Sequence, residues 1–403
     1  MKYGVNYTPR RGWFHSWLDL DLGEVREDFD QIASLGLDHA RIFPLWPLLQ
    51  PNRTLVRPRG VDDVVKVAEV AGEAGLRVSV DALNGHLSSY DFVPSWLTSW
   101  HAADLFTDPR AVSGQRLLVR ELATALRGVP SVTGMTLGNE FTQFARPDHP
   151  QVSAARVADA DRWLKALFTD LAEVWPEGKH HHSHDDSIWF TDTLPFTPRH
   201  AVTRGAATIV HSWVFMQLGP LFGADSPELA LFARYLCEVA AAWSPDAERR
   251  VWLQEVGAPR PWVSDAHAPD FLRSTIASAA AMPELHAITW WCSHDVSRDL
   301  ADFPELEYSL GLFTSDGRPK PEAEALADVI AHPPAAHLDE RPALVFDADW
   351  TNGTGRSATA PGQELLGLWL DHARDGVVPA LVRAADIVDD DLLVRRGITE
   401  LLD

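Results

Sequence analysis

Two short β-rich runs end in a glutamate: Thr136-Leu137-Gly138-Asn139-Glu140 and Val251-Trp252-Leu253-Gln254-Glu255, the second followed by Val256-Gly257. A carboxyl group at the end of a strand is anchored by rigid backbone yet projects from the rim of the fold. Two such groups can divide acid and nucleophile work between them. Cleavage of a glycosidic bond with retained configuration needs that division, one carboxyl protonated and one ionised, about 5–5.5 Å apart. Either glutamate alone also admits the reading of a helix N-terminal charge that follows a strand, although the catalytic reading is favoured. The matched placement of both points to chemistry.

The elements that must hold them follow from hydrophobic periodicity. β-rich runs fall at 3–7, 40–43, 76–82, 132–139, 180–184, 208–213, 251–255 and 287–291. Helical patterns fall between them at 24–35, 61–74, 114–126, 154–174, 228–243 and 271–281, and at 321–330 after the last strand. Eight strands alternating with helices predict parallel βα units, and their number predicts an α/β fold closed as a (β/α)₈ TIM barrel. Strand C-termini form the active face of such a barrel, with strands four and seven on opposite sides of the mouth. Glu140 and Glu255 would then face each other across a ligand. The barrel is expected over 1–332. His332-Pro333-Pro334 reads as a linker, and 333–403 as a small α/β subdomain packed on the barrel: strand 343–346, helix 364–372, strand 378–382, helix 392–402. This tail is expected to narrow the mouth from the side and to offer a surface for a homodimer.

Asn139-Glu140 after strand four and Glu255 after strand seven resemble the clan A glycoside hydrolases, and family 5 in particular, over about residues 1–330. The resemblance implies that Glu140 is the acid/base and Glu255 the nucleophile. It further implies that Arg41 supports Glu255, that His86 lines the sugar subsite, and that Asn139 bonds the sugar 2-hydroxyl. His211 and Trp213 fall where the family has a histidine and a tyrosine, so Trp213 departs from the pattern. Trp291 matches a tryptophan platform for the sugar. The opening Gly4-Val5-Asn6-Tyr7-Thr8-Pro9, with Gly12-Trp13-Phe14-His15-Ser16-Trp17, resembles subfamily 18. That implies an exo-β-mannosidase acting on Man-β-1,4-GlcNAc, the disaccharide of the N-glycan core, with Trp13 and Trp17 helping to close the pocket. A β-galactosidase- or β-glucosidase-like enzyme and an endo-β-mannanase are the competing enzymes. A sugar-binding barrel is the competing non-enzyme, although such proteins commonly lack one carboxylate. In this scheme Glu140 should have its pKa raised by desolvation and the second carboxylate, while Arg41 should favour the charged form of Glu255.

Composition limits the partners. Thirty-five basic residues against 57 acidic give a net charge of −22, which repels nucleic acid and anionic membranes. A small neutral oligosaccharide fits this surface. Two cysteines, Cys237 and Cys292, argue against a disulfide framework. No run of about 18 apolar residues suggests a membrane span, and the chain begins on a strand rather than an apolar leader. A cytoplasmic enzyme is therefore expected. Several of the 16 tryptophans stand in turn-like segments, namely Trp13, Trp17, Trp46, Trp96, Trp100 and Trp262. They read either as surplus core or as faces for sugar rings. His180, His182 and His184 alternate as a ligand array on one strand face would. The preferred reading is a polar strand end, with no metal and no cofactor.

Overall fold

The computed structural model describes residues 1–99, 103–151, 153–334 and 340–402. Seven parallel strands form one curled sheet in the order Val132–Thr136, Arg77–Asp81, His39–Ile42, Lys2–Asn6, Leu285–Trp290, Val251–Val256, Thr208–Ser212. The first and last of these are its edges. The segment 179–184, expected as the fifth strand, lies between them without becoming a regular strand. Lys179 N–H donates to Thr133 O at 2.9 Å, His181 N–H to Met135 O at 2.8 Å, and Ala206 N–H donates to His180 O at 2.8 Å. Gly134 permits this approach, because a Cβ there would stand 1.9 Å from Lys179 O. Beyond His181 the chain leaves the ladder, as the His182 and His184 rings turn into a cluster with Phe196 and, for His182, Trp163. The eight-position (β/α)₈ barrel is thus closed by seven strands and one bridging segment.

Helices surround the sheet at Leu22–Ser34, Pro58–Glu73, Pro109–Leu126, Val157–Val174, Phe232–Ala242, Ala268–Ala280 and Pro321–Ala331. Each lays one apolar stripe on the strands. In Pro58–Glu73 the stripe is Val64, Val67, Ala68 and Ala71, all buried at helical spacing. Pro109–Leu126 starts earlier than periodicity predicts, because the Asp108 carboxylate accepts from Arg110 N–H at 2.8 Å and caps the turn. The connection after the bridging segment holds a single 3-10 turn, Asp186–Trp189, and the short helix Pro198–Thr203.

The tail forms a separate three-stranded parallel sheet in the order Ala380–Arg383, Arg341–Phe346, Ile398–Leu402, with helices Glu364–Arg374 and Asp390–Arg395. The helix expected over 392–402 is instead a short helix and a strand. Gly397 takes a φ of 67°, which ends the helix and sends Ile398–Leu402 alongside Arg341–Phe346. Arg341 binds Glu284 through Nη2 at 3.0 and 3.1 Å and also Glu238, while Arg396 Nε reaches Glu284 at 3.2 Å. Glu284 immediately precedes a barrel strand, so this contact lies at the strand N-terminal rim. The fully buried Arg356 donates to the carbonyls of Ile188, Phe196 and Leu194 at 2.9, 2.9 and 3.1 Å. The tail therefore braces the barrel flank and the 188–196 connection.

Candidate active site

Glu140 stands four residues beyond Val132–Thr136, and Glu255 within Val251–Val256. The Glu140 backbone is left-handed (φ 47°, ψ 45°), which turns the chain out of the strand into the single turn Phe141–Ala145. One carboxylate oxygen of each glutamate and a ring nitrogen of His211 all lie within 4.8 Å of one another.

Arg41 organises the floor. Its buried guanidinium donates to both Asp81 oxygens, from Nε at 2.8 Å and from Nη2 at 2.6 Å. Nη1 donates to Glu255 Oε1 at 2.6 Å and to Asn6 Oδ1 at 3.2 Å, and Nη2 to Asn139 Oδ1 at 2.6 Å. The rigid fork matches several planar acceptors at once, which a lysine could not do. Asn139 Nδ2 donates to His86 O at 2.8 Å, and the amide carries a second N–H for a ligand hydroxyl. Trp213 Nε1–H donates to Glu255 Oε2 at 3.3 Å. The residue that departs from the resembling pattern still gives this carboxylate a donor.

His211 changes the electrostatics expected from sequence. Its Nδ1 lies 2.7 Å from Glu140 Oε1 and 3.4 Å from Glu255 Oε2. Burial works to raise the Glu140 carboxyl, but the hydrogen bond and charge of His211, with His86 and Gln143 behind them, hold its pKa below the ordinary value. Burial raises Glu255, outweighing the lowering by His211 and Arg41. The Glu140 direction reverses the expectation, which counted desolvation and the second carboxylate but not an imidazole between the acids; Arg41 favours the charged form of Glu255 as expected, although burial outweighs it. Hydrogen-bond donors fix where the proton sits. Gln254 Nε2–H donates to Thr136 Oγ1 at 3.3 Å, so Gln254 Oε1 faces His211 Nε2 at 3.2 Å and accepts from it. With Nε2 protonated, the short contact between Nδ1 and Glu140 holds one further proton, on the imidazole or on the carboxyl.

The other expected residues divide. His86 opens the hairpin His86–Leu87/Tyr90–Asp91, and its Nδ1 bonds Asp91 at 2.9 Å. Trp291 follows the strand Leu285–Trp290 and packs edge-on to Trp213 and Phe43. Trp13 is buried against Phe14, Phe92 and Phe303, with Trp17 half-buried beside it. The loop thus builds an aromatic wall rather than a free stacking face. Trp46 is core, donating to Gln50 Oε1 at 2.8 Å, and Trp96 donates to Gln50 O at 3.0 Å. Trp262 packs over Gly219, and Trp100 lies outside the described residues. His180, His182 and His184 are all lowered in pKa by burial, the second to about 3. Among the described residues, the group with convergent metal-type ligand atoms is Glu140, His211 and Glu255 rather than these histidines.

Sequence reasoning missed Asp81, Gln254 and Glu307. An aspartate inside the apolar run Val78-Ser79-Val80-Asp81-Ala82 is a buried charge in need of a partner, and that signal could have paired it with Arg41. Glu307 lies in the turn Glu305–Ser309, where the sequence gives no hint of proximity to the site. Asp185 and Asp186 are buried near Glu140. Burial raises both, and the charge of Glu140 adds to it.

No family model and no curated protein sequence matches the chain. Solved structures do. The GH5_18 protein of Streptomyces cattleya in complex with GlcNAc is 46% identical, with a TM-score of 0.97 over 100% of this chain and 97% of that one. An alanine variant of it was solved with Man-β-1,4-GlcNAc. A GH5_18 alanine variant from Bifidobacterium longum subsp. longum, also with Man-β-1,4-GlcNAc, is 42% identical, with a TM-score of 0.96 over 100% of this chain and 95% of that one. An exo-β-1,4-mannosidase from an Opitutaceae bacterium shares the fold at 22% identity and a TM-score of 0.77, over 95% of this chain and 69% of its own.

Proposed function

The chain belongs to the GH5_18 subfamily of the glycoside hydrolases, and on that premise we propose that it is a retaining exo-β-mannosidase that hydrolyses Man-β-1,4-GlcNAc. The observation that carries the reaction type is the approach of the Glu140 and Glu255 oxygens to within 4.8 Å. Inversion needs a gap of about 6.5–9.5 Å to seat a water between the acids, and retention needs about 5–5.5 Å.

In this reading Glu255 attacks the anomeric carbon while Glu140 passes its proton to the departing oxygen. A covalent glycosyl-enzyme forms. Glu140 then removes a proton from water as the water displaces Glu255. Arg41, Trp213 and His211 favour the ionised form of Glu255 against its burial. The proton shared by His211 and Glu140 is the one delivered: as negative charge builds on the leaving oxygen, it is drawn from the imidazole side to the carboxyl and on to the sugar. Asn139 would bond the 2-hydroxyl through its second N–H, and Trp291 would support the sugar face. We assign 1–332 to the catalytic barrel and 333–403 to a bracing subdomain.

Cys237 and Cys292 are both free and buried, as suits a reducing compartment. No helix among the described residues is long and apolar enough to cross a membrane. A cytoplasmic enzyme that receives short N-glycan-derived sugars accounts for these features. The test is kcat/KM on Man-β-1,4-GlcNAc, mannobiose, cellobiose and lactose, with the first-formed anomer read by NMR. The first disaccharide should be best and the product β-mannose. Faster cleavage of cellobiose or lactose would overturn the mannosidase reading, and an α product would overturn retention.

A further inference from the structure

Glu307 is an acid at the site that double displacement leaves unused. It is 9% exposed, and its Oε2 accepts from Ser88 Oγ at 3.0 Å. Ser88 and Ser89 form the tip of the hairpin His86–Leu87/Tyr90–Asp91 and hold φ angles of 48° and 68°. Two successive non-glycine residues in the left-handed region mean that surrounding contacts, rather than local preference, fix this tip. Ring contacts bind the hairpin to the loop that carries Glu307: Trp13 to Phe303 at 4.7 Å, Tyr90 to Phe303 at 4.9 Å and Trp13 to Phe92 at 5.6 Å. The first loop, the hairpin and the last loop thus meet in one wall.

The neighbours of each acid give Glu307 its side of the pocket. Ser88, which donates to Glu307, stands two residues from His86, and Leu306 and Tyr308 on either side of Glu307 pack in one apolar cluster with Trp291 and Trp213, the latter bound to Glu255. Glu140 feels His211, His86 and Gln143, and it is Asp185 and Asp186 that feel Glu140. The leaving group must depart on the Glu140 side, where its oxygen receives the proton. The sugar under attack therefore lies toward Glu255, Trp291 and Glu307.

Building on the glycosidase reading above, we propose that Glu307 is a specificity residue that accepts hydrogen bonds from hydroxyls of the non-reducing sugar, at the end of the pocket closed by the aromatic wall. An ionised carboxylate accepts and never donates, so it suits sugar hydroxyls. Ser88 Oγ donates to one Glu307 oxygen, and a carboxylate has about four acceptor sites, so lone pairs remain for hydroxyls that a sugar supplies; burial lifts the Glu307 pKa to about 7. A site built around such bonds discriminates sharply against a substrate that lacks the hydroxyl.

The experiment crosses wild type, Glu307→Gln and Glu307→Ala with aryl β-mannosides lacking the 3-, 4- or 6-hydroxyl. Glu307→Ala should lower kcat/KM on the full substrate by about 10- to 100-fold. It should also erase most of the penalty that one or two deoxy positions impose on wild type. The rise of kcat/KM through pH about 7, as Glu307 ionises, should vanish in Glu307→Gln. If the Glu307 variants fail to fold, Ser88→Ala removes only the donor hydroxyl and should move that limb to higher pH. Deoxy penalties equal in variant and wild type, or an unchanged limb in Ser88→Ala, overturn the proposal. If cellobiose rather than the mannoside proves the substrate, the same cross with deoxy-glucosides still decides the role of Glu307.

Discussion

Replacing Arg41 by methionine removes a guanidinium that joins Asp81, Glu255, Asn139 and Asn6 through five hydrogen bonds. Methionine is of similar length but leaves two buried carboxylates without that partner. Breaking a buried ion pair from one side costs about 3–5 kcal/mol. Spread over the unfolding entropy of a 403-residue chain, this lowers Tm by about 4–6 °C. The kinetic effect has a definite sign. Burial already raises the Glu255 pKa, and Arg41 is one of the groups that lowers it. Without Arg41 the proposed nucleophile Glu255 ionises at higher pH, so in a Glu307→Gln background, which lacks the Glu307 step, the acid limb of kcat/KM moves up. Each unit of movement corresponds to about 1.4 kcal/mol and to a tenfold loss on that limb. Calorimetry and a pH–rate profile on an aryl β-mannoside measure both effects. Adding Asp81→Asn removes one stranded charge, so the double variant should regain stability without regaining the limb. An unmoved limb in Arg41→Met, or a double variant no more stable than the single, would refute this account of the network.

Three further outcomes follow from the same structure. Glu140→Ala should lose most activity yet recover on activated aryl glycosides with azide, giving β-glycosyl azide by NMR, whereas Glu255→Ala should stay inactive; azide product of α configuration would count against the assignment. His39, His181, His182, His200 and His294 are held neutral by burial, at about 4, 3, 3, 4 and 3. Below the unfolded value of about 6.5 the unfolded chain binds more protons, so stability should be full above that pH and fall toward pH 4. The raised carboxyls Asp28 and Glu307 act in the opposite sense. Urea unfolding across this range should show the loss, and a flat profile would contradict it. Arg356→Ala strands three buried carbonyls, at about 1–3 kcal/mol for an unmet group, so Tm should fall by several degrees and amide exchange should quicken over 188–196; protection unchanged there would show that the tail does not brace this connection.

Local sequence was enough for the repeating β/α pattern, because the period of apolar residues reports which face each element buries. It also placed Glu140 and Glu255 at strand ends, since a polar residue that closes an apolar run marks the point where the chain leaves the core. The bridging segment at 179–184 kept the strand-like composition of its histidines but lost the ladder, because Gly134 and the Phe196 cluster, both distant in sequence, decide how far the backbone can pair. Ile398–Leu402 looked helical in isolation and became a strand because Arg341–Phe346 offers an open edge and Gly397 ends the helix. The partners of Arg41, the proton held between His211 and Glu140, and the position of Glu307 come from four or more separate elements. Charge and burial depend on distances in space, which fall off within a few ångströms, and no spacing along the chain encodes them. The two candidate acids were therefore legible in the sequence, while the groups that bias their protonation and the aromatic wall beside them come only from tertiary packing.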